Sequence, residues 1–169
     1  MPKRTDIHKL KEAGAIIDEY ETSIRVKMNE RPKAFSVKTM PYPGFPTDMQ
    51  PQMSILLCIC DGTGIIVENI WESRFQYTDE LAKMGADISA HGTTAIFKGV
   101  DKLYSAPVRT HDLRAGAAMI IAGLVAEGDT DVYDIHHILR GYENITEKFK
   151  NLGANIVYSN DNAEAEFDA

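Results

Sequence analysis

The sequence has little cysteine and no long apolar run. It contains only two cysteines, Cys58 and Cys60, among 169 residues, which excludes a disulfide framework and favours a reducing compartment. The longest apolar run lies around residues 53–60, far short of the roughly 20 residues that a membrane helix needs. Residues 1–4 lead into a polar segment, so we expect no secretory signal. These absences predict a cytoplasmic protein that does not enter a membrane.

The sequence also has fewer basic residues than acidic ones. Lys and Arg together number 18 against 25 for Asp and Glu, which gives a formal net charge of -7 at pH 7. Nucleic-acid binding needs clustered positive charge, so we expect neither a broad basic face nor a nucleic-acid partner. Hydrophobic residues make up 44% of the chain and charged residues 25%, which indicates a globular domain rather than a disordered segment.

A helix–glycine–strand pattern occurs three times. Each time an amphipathic helix ends, a glycine follows and a strand begins; the glycines are Gly14, Gly85 and Gly153, 71 and 68 residues apart. Helices often end at a residue in the left-handed conformation, which glycine adopts at little steric cost. The regular spacing predicts an internal structural repeat.

A second helix and a further strand lie inside each period. The pattern predicts helices over 47–60 and 111–126, and strands over 65–67 and 131–133. Thr47 followed by Gln50 is a capping-box pattern and predicts the start of the first of these helices. Short alternating strands precede the two helices, over 23–28, 33–40, 93–100 and 106–110.

Each unit therefore reads helix, strand, strand, strand, helix, strand. The second helices are apolar on nearly every side and must be covered all round, which predicts an α/β fold with buried helices and outer sheets. The count predicts two full units and the tail of a third in one incomplete domain, residues 1–160, which begins in mid-repeat. We expect an exposed sheet edge that favours self-association, and an acidic tail over 161–169.

The segment 41–50, PYPGFPTDMQ, is the densest candidate for chemistry. Its prolines and glycine predict a stiff loop that delivers Asp48 to the first turn of a helix. One interpretation is a helix-stabilising charge at an N-terminus. The other is a carboxylate that accepts a hydroxyl proton from a bound substrate. The recurrence of the acid as Asp112 leaves both interpretations open.

Three arginines, Arg74, Arg114 and Arg140, stand near loop or helix starts in an otherwise acidic chain. Guanidinium groups bind carboxylate and phosphate through paired hydrogen bonds, so the three would suit a small dianion. The alternative is that each arginine pairs with a nearby acid, such as Glu72, Asp112 or Glu143.

Other candidates are weaker. His136 and His137 are adjacent in a segment that reads as an extended loop, so their side chains would point to opposite faces, and we expect no metal site. Cys58 and Cys60 read as buried core residues rather than nucleophiles. Trp71 reads equally well as a core residue or as a surface against a ligand ring.

Five strings carry a family resemblance: PGFPTDMQPQ at 43–52, ESRF at 72–75, DLRAGAA at 112–118, AGLVAEGDT at 122–130 and HILRGYE at 137–143. Together they resemble the enolpyruvyl transferase family, which includes the enolpyruvylshikimate-phosphate synthases, in the branch that acts on UDP-N-acetylglucosamine. The resemblance runs from about Pro2 to Ser159 and covers only the C-terminal domain portion of such an enzyme. It implies repeated βαβαββ units in an inside-out α/β barrel.

The resemblance also implies a reaction. Enolpyruvate moves from phosphoenolpyruvate to the 3-hydroxyl of UDP-N-acetylglucosamine and phosphate is released, the first committed step of peptidoglycan synthesis, which serves cell-wall biogenesis, cell shape and cell division. Asp48 would be the base, and Asp112 would support proton transfer. No cofactor is implied. The implied catalytic residues are Asp48, Asp112 and Arg140, and the implied substrate-binding residues are Asp48, Ile70, Trp71, Arg74, Arg114 and Arg140.

Nothing in the sequence corresponds to the family's other domain, with its Lys-Asn pair, further arginines and reactive loop cysteine. Two classes of function therefore stay open: part of an enolpyruvyl transferase, or an isolated non-catalytic half that binds substrate or has a structural role. A site shared between domains loses orientation and charge stabilisation when it is divided, so we expect no turnover from these 169 residues alone. A shikimate-type relative with another acceptor is a further alternative.

Overall fold

The computed structural model describes residues 5–159, which alternate short helices and strands as the repeat predicts. A short 3-10 turn, Thr47–Met49, precedes the second helix. The helices are α1 Thr5–Glu12, α2 Gln50–Cys58, α3 Thr78–Lys83, α4 Leu113–Val125, α5 His136–Gly141 and α6 Ile145–Asn151. The strands are β1 Ile16–Glu19, β2 Ile24–Lys27, β3 Ser36–Lys38, β4 Thr63–Val67, β5 Asp87–His91, β6 Thr94–Lys98, β7 Val108–Arg109 and β8 Val132–Tyr133.

The strands form three sheets. The largest has the order β3-β4-β6-β5, in which β3 is parallel to β4 and the other neighbours are antiparallel. It is built by one complete βαβαββ unit: β3, α2, β4, α3, β5 and β6. The antiparallel pair β1-β2 and the parallel pair β7-β8 belong to partial units on either side. The predicted order of helix, strand, strand, strand, helix and strand thus occurs twice, from α1 to β4 and from α3 to β8. Within the described residues only the elements from β3 to β6 close a complete βαβαββ sheet.

The buried helices lie against the inner face of the largest sheet. Val37, Ile66 and Ala95 are neighbours across three strands, and each is at most 2% exposed. Helix α2 packs against β4, β6 and α4, and most of its side chains are buried. The fold predicted from the apolar helices, with helices inside and sheets outside, is confirmed by this packing.

The glycine corners have the backbone conformation that the repeat requires. Gly14, Gly85 and Gly153 have φ values of 103°, 88° and 92°, in the left-handed region that side-chain-bearing residues rarely adopt. A hairpin follows Gly14 and another follows Gly85. The strand expected after Gly153 is not found in residues 154–159, because a strand needs a hydrogen-bonded neighbour and no described strand lies alongside this segment.

The predicted capping box at Thr47 and Gln50 is wrong. Helix α2 starts at Gln50 itself and has Pro51 in its first turn, and no side chain caps it. The Thr47 hydroxyl instead donates to Glu68 Oε2 at 2.9 Å, and the Gln50 side chain is fully buried. The Thr47 hydroxyl therefore donates to a buried carboxylate, which is a strong acceptor, and does not serve the start of the helix as the local pattern predicted.

All three sheets of residues 5–159 are open, and the free edges of β2 and β8 are the two that the complete unit covers. β2 pairs with β1 and β8 with β7, whereas their counterparts in the complete unit, β6 and β4, pair with each other. The expected exposed edge is thus present in the described residues, and self-association stays a prediction. Residues 161–169, the predicted acidic tail, lie outside the described residues. The longest helix in the described part, α4, has 13 residues, and no helix there could cross a membrane.

Candidate active site

Asp48 lies where two segments distant in sequence meet. It stands in the 3-10 turn before α2, and its carboxylate accepts a hydrogen bond of 2.8 Å from Nη2 of Arg114, which lies in the first turn of α4. Nη2 of Arg74 is 3.6 Å from the other carboxylate oxygen. The Asp48 side chain is 54% exposed, so a ligand can reach it. The structure therefore brings three of the sequence-predicted site residues together.

The Arg74 side chain is largely buried, and its guanidinium has fewer hydrogen-bond acceptors than it has donors. Its side chain is 11% exposed, and neither Nε nor Nη2 has a hydrogen-bond partner among residues 5–159. The guanidinium carbon lies 5.8 Å from the centre of the Trp71 ring. A buried guanidinium with free donors is costly, and an anion with several acceptor oxygens would satisfy it. Arg74 does pair with an acid, as the alternative interpretation expected, but that acid is Asp48, and no ion pair with Glu72 is found among residues 5–159.

Arg114 is held from two sides. Its Nη2 contacts Asp48, and its Nη1 donates to the Tyr142 hydroxyl at 3.1 Å. The hydrogen bond with Tyr142, followed by that with Asp48, raises the pKa of Arg114. The arginine therefore stays charged and is fixed in direction, as a residue that binds an anion should be.

Asp112 behaves differently from Asp48. It is the N-cap of α4, and its Oδ1 accepts hydrogen bonds from the backbone N–H groups of Arg114 and Ala115 at 2.7 and 2.8 Å. The helix-stabilising interpretation thus describes Asp112, whereas Asp48 caps nothing. The two acids that the repeat made equivalent have separate roles, because Asp112 immediately precedes its helix and Asp48 lies two residues before α2.

Arg140 is not part of the cluster. It is exposed on α5 and lines a cleft of about 660 Å³ that is bounded by residues 139–147 and Tyr158. Tyr142, at the end of the same helix, makes the link to Arg114. No hydrogen bond or ion pair among residues 5–159 joins Arg140 to Asp48. A periodic position in a repeat does not tell where a side chain points, so this could not be foreseen from the sequence.

The histidine pair and the two cysteines were the weaker candidates for site chemistry. His136 and His137 begin helix α5 instead of lying in an extended loop, which corrects the sequence interpretation. Their ring centroids are 3.9 Å apart, and the ring planes are tilted by 40°. Cys58 and Cys60 are fully buried, as predicted, and burial raises the pKa of Cys58 to about 12. Residues 5–159 contain no group of three potential metal ligands.

Glu68 is a site residue that sequence reasoning missed. It follows β4, is 1% exposed, and accepts hydrogen bonds from the Ile70 and Trp71 N–H groups at 2.8 and 3.1 Å. Ile70 was expected to offer its backbone to a ligand; since its N–H is engaged, that contact would have to use the carbonyl. Trp71 is 59% exposed, which favours the ligand-facing interpretation over a core residue.

The arrangement of Asp48, Arg74 and Arg114 has the chemistry to bind a compact anion. Two guanidinium groups face one carboxylate, so a positive charge remains for an anionic ligand. The carboxylate is exposed at the same point and can accept a proton. The fold and this cluster together define a repeat-built domain of the enolpyruvyl transferase class.

A comparison with known protein families supports this assignment to the enolpyruvyl transferase class. The family model described as EPSP synthase (3-phosphoshikimate 1-carboxyvinyltransferase) matches residues 2–149, and the chain belongs to this family. The family resemblance and the fold class expected from the sequence are both confirmed.

Relatives of known name lie in the nucleotide-sugar branch. The chain is 53% identical over 148 residues to UDP-N-acetylglucosamine 1-carboxyvinyltransferase 3 of Symbiobacterium thermophilum, a match that covers 88% of this chain and 35% of the relative. It is 56% identical over 149 residues to UDP-N-acetylglucosamine 1-carboxyvinyltransferase of Clostridium botulinum, which covers 88% and 36%. The chain thus spans about a third of the length of the curated relatives that it matches.

Solved structures show the same fold. The enolpyruvyl transferase NikO from Streptomyces tendae superposes with a TM-score of 0.84 at 26% identity, over 91% of this chain and 36% of that one. An EPSP synthase from Acinetobacter baumannii gives a TM-score of 0.57 at 18% identity, over 81% and 35%, and supports the fold alone.

Proposed function

We propose that this chain forms part of an enolpyruvyl transferase that acts on UDP-N-acetylglucosamine. The net reaction joins the sugar 3-hydroxyl oxygen to the enolpyruvyl carbon of phosphoenolpyruvate and releases phosphate. The observation that carries the proposal is the placement of Asp48 against Arg74 and Arg114, together with 50–56% identity to relatives named for this reaction. The activity belongs to a longer protein, of which this chain matches about a third.

In this proposal the arginines and Asp48 have different roles, which follow from their opposite charges. Arg74 and Arg114 bind the phosphate and carboxylate oxygens of phosphoenolpyruvate, whose negative charge replaces Asp48 as their partner. Asp48, released from the arginines, accepts the proton of the acceptor hydroxyl. The Ile70 carbonyl and the Trp71 ring border the acceptor.

In this proposal Asp112 acts through Arg114, and Arg140 acts from the cleft at α5. Asp112 holds the backbone of Arg114 at the start of α4, so it supports proton transfer through the placement of that arginine. Arg140 borders the cleft at α5 and contributes positive charge to phosphoenolpyruvate from that side. No metal or other cofactor takes part. We further propose a cytoplasmic location and a role in peptidoglycan synthesis, and hence in cell-wall biogenesis, cell shape and cell division, with the remaining domain of the enzyme as the partner.

Binding of the acceptor tests the proposal. The 169-residue chain is expected to bind UDP-N-acetylglucosamine in saturation-transfer NMR, and Asp48→Asn is expected to weaken binding by about tenfold, since one charge-assisted hydrogen bond is worth about 1.5–3 kcal/mol. Asp131→Asn, an exposed acid before β8, is the matched control. Equal affinity of the wild type and Asp48→Asn would contradict the role of Asp48.

The acceptor also distinguishes a second candidate function. The family description names the shikimate reaction, so a shikimate-type acceptor is the competing assignment. We expect competition from UDP and none from shikimate 3-phosphate, because the relatives at 50–56% identity carry the nucleotide-sugar name. Displacement by shikimate 3-phosphate alone would reverse the assignment.

Turnover by the chain alone is expected to be absent. Orientation and electrostatic stabilisation together supply on the order of 10 kcal/mol of barrier lowering, and a divided site loses much of both. A phosphate-release assay with phosphoenolpyruvate and UDP-N-acetylglucosamine should therefore show the uncatalysed rate. Release that Asp48→Ala abolishes would show instead that the chain is catalytic by itself.

A further inference from the structure

Glu68 is a buried carboxylate whose two oxygens are held by hydrogen bonds. It is 1% exposed, and none of the ion pairs of residues 5–159 includes it. Four donors meet its two oxygens. The Thr39 hydroxyl and the N–H groups of Ile70 and Trp71 donate to Oε1 at 2.7, 2.8 and 3.1 Å, and the Thr47 hydroxyl donates to Oε2 at 2.9 Å.

These donors come from the three segments that surround the site. Thr47 directly precedes Asp48, and the loop with Ile70 and Trp71 leads to Arg74. Thr39, at the end of β3, also accepts a hydrogen bond from the Asn69 N–H at 2.8 Å, which closes the loop onto the strand. One carboxylate therefore sets the spacing between the segment that carries Asp48 and the segment that carries Arg74.

The second copy of the repeat lacks this arrangement. The Thr110 N–H donates to the Tyr133 carbonyl, as the Thr39 N–H donates to the Val67 carbonyl, so Asp134 takes the position of Glu68. The Asp134 carboxylate instead pairs with Arg109, and its backbone carbonyl accepts from the Thr110 hydroxyl. The repeat can thus close without a buried carboxylate, and the four-donor arrangement occurs in the copy that carries Asp48.

We propose that Glu68 is a positioning residue for acceptor binding. It fixes the Ile70–Trp71 loop so that the Ile70 carbonyl and Trp71 ring face the acceptor, and it holds the turn with Thr47 so that Asp48 lies at the acceptor hydroxyl. A carboxylate is required because only acceptor oxygens can serve four donors at once. The inference rests on the proposed function for its ligand and on the described contacts for its geometry.

Glu68→Gln tests the inference, since the amide keeps the shape but replaces one acceptor oxygen with a donor. Two readouts apply to the purified chain. Trp71 is the only tryptophan, so its emission and its acrylamide quenching report the loop without any ligand. Affinity for UDP-N-acetylglucosamine reports positioning. We expect red-shifted emission, stronger quenching and an affinity lowered by about tenfold or more.

Glu80→Gln is the matched control. Glu80 is also a buried carboxylate, 5% exposed, which accepts hydrogen bonds from Lys83 and from the Arg109 N–H. The Glu80→Gln substitution should lower the melting temperature without changing Trp71 emission or acceptor affinity, as a purely structural role predicts. Should Glu68→Gln fail to fold, Thr47→Val removes a single donor and is expected to weaken acceptor affinity in the same direction.

The outcomes separate the two proposals. Unchanged Trp71 emission and quenching in both Glu68→Gln and Thr47→Val overturns the positioning role, whether or not a ligand binds. Unchanged acceptor affinity in a folded Glu68→Gln variant overturns it as well. If the wild-type chain binds no UDP-N-acetylglucosamine while Trp71 emission responds to Glu68→Gln, the proposed acceptor is wrong and the loop-positioning geometry stands.

Discussion

Replacing Arg74 with methionine is expected to weaken phosphoenolpyruvate binding strongly and to leave the fold at least as stable as before. The guanidinium is 11% exposed with two nitrogens unsatisfied, so the folded state bears a desolvation penalty that an apolar side chain of similar length removes. Chemical denaturation should show a free energy of unfolding that is unchanged or up to about 2 kcal/mol higher. Anion affinity should fall by about a hundredfold, because charge-assisted hydrogen bonds are lost.

Two further variants make this result specific. Arg74→Lys keeps the charge without the planar fork and should retain part of the affinity. Arg25→Met, on the exposed strand β2, should change neither property by much. A marked loss of stability in Arg74→Met would mean that the arginine is a structural ion-pair partner of Asp48, contrary to the proposed site.

Gly99→Ala is expected to be among the most destabilising single substitutions in the chain. A Cβ at Gly99 would lie 1.7 Å from the Cys60 carbonyl oxygen, a contact that only backbone movement can relieve. The same segment is tied down by hydrogen bonds from Gly99 N–H to Gly62 and from Val100 N–H to Cys58, at 2.9 and 2.8 Å. We expect a loss of more than about 3 kcal/mol in the free energy of unfolding.

Gly92→Ala is the control for this substitution. Gly92 has a φ of 56°, and a Cβ there would meet no atom within 4 Å, so only the left-handed backbone penalty of about 1–2 kcal/mol applies. Urea denaturation of the two variants should therefore give clearly different midpoints. Equal midpoints would show that the segment around Gly99 can move away from Cys60.

The repeat could be predicted from the sequence because its signals are local. Gly85 has a positive φ, which glycine adopts most easily, so the residue type alone indicates the turn. Likewise, the apolar sequence of α4 by itself indicates that this helix is buried. The strand after Gly153 was wrongly predicted because strand formation depends on a neighbour that local sequence does not supply.

The site was predictable only in part. Asp48, Arg74 and Arg114 stood out by residue type, and the structure places them together. Glu68 did not stand out, because its donors Thr39 and Thr47 lie 29 and 21 residues away and nothing in the local pattern links them. The same long-range contact explains the failed capping box, since Thr47 serves the site and not the helix.

The most direct test of the account follows the side chain of Arg74 in a ¹⁵N-labelled chain. Its Nε–H resonance, assigned by comparison with Arg74→Met, is observed during titration with phosphoenolpyruvate to about 20 mM, which detects dissociation constants in the millimolar range. We expect a saturable shift of the Arg74 and Arg114 Nε–H resonances, with a smaller shift for pyruvate, which lacks the phosphate. Resonances that do not move, or that move equally with pyruvate, would contradict an anion site at Asp48, Arg74 and Arg114.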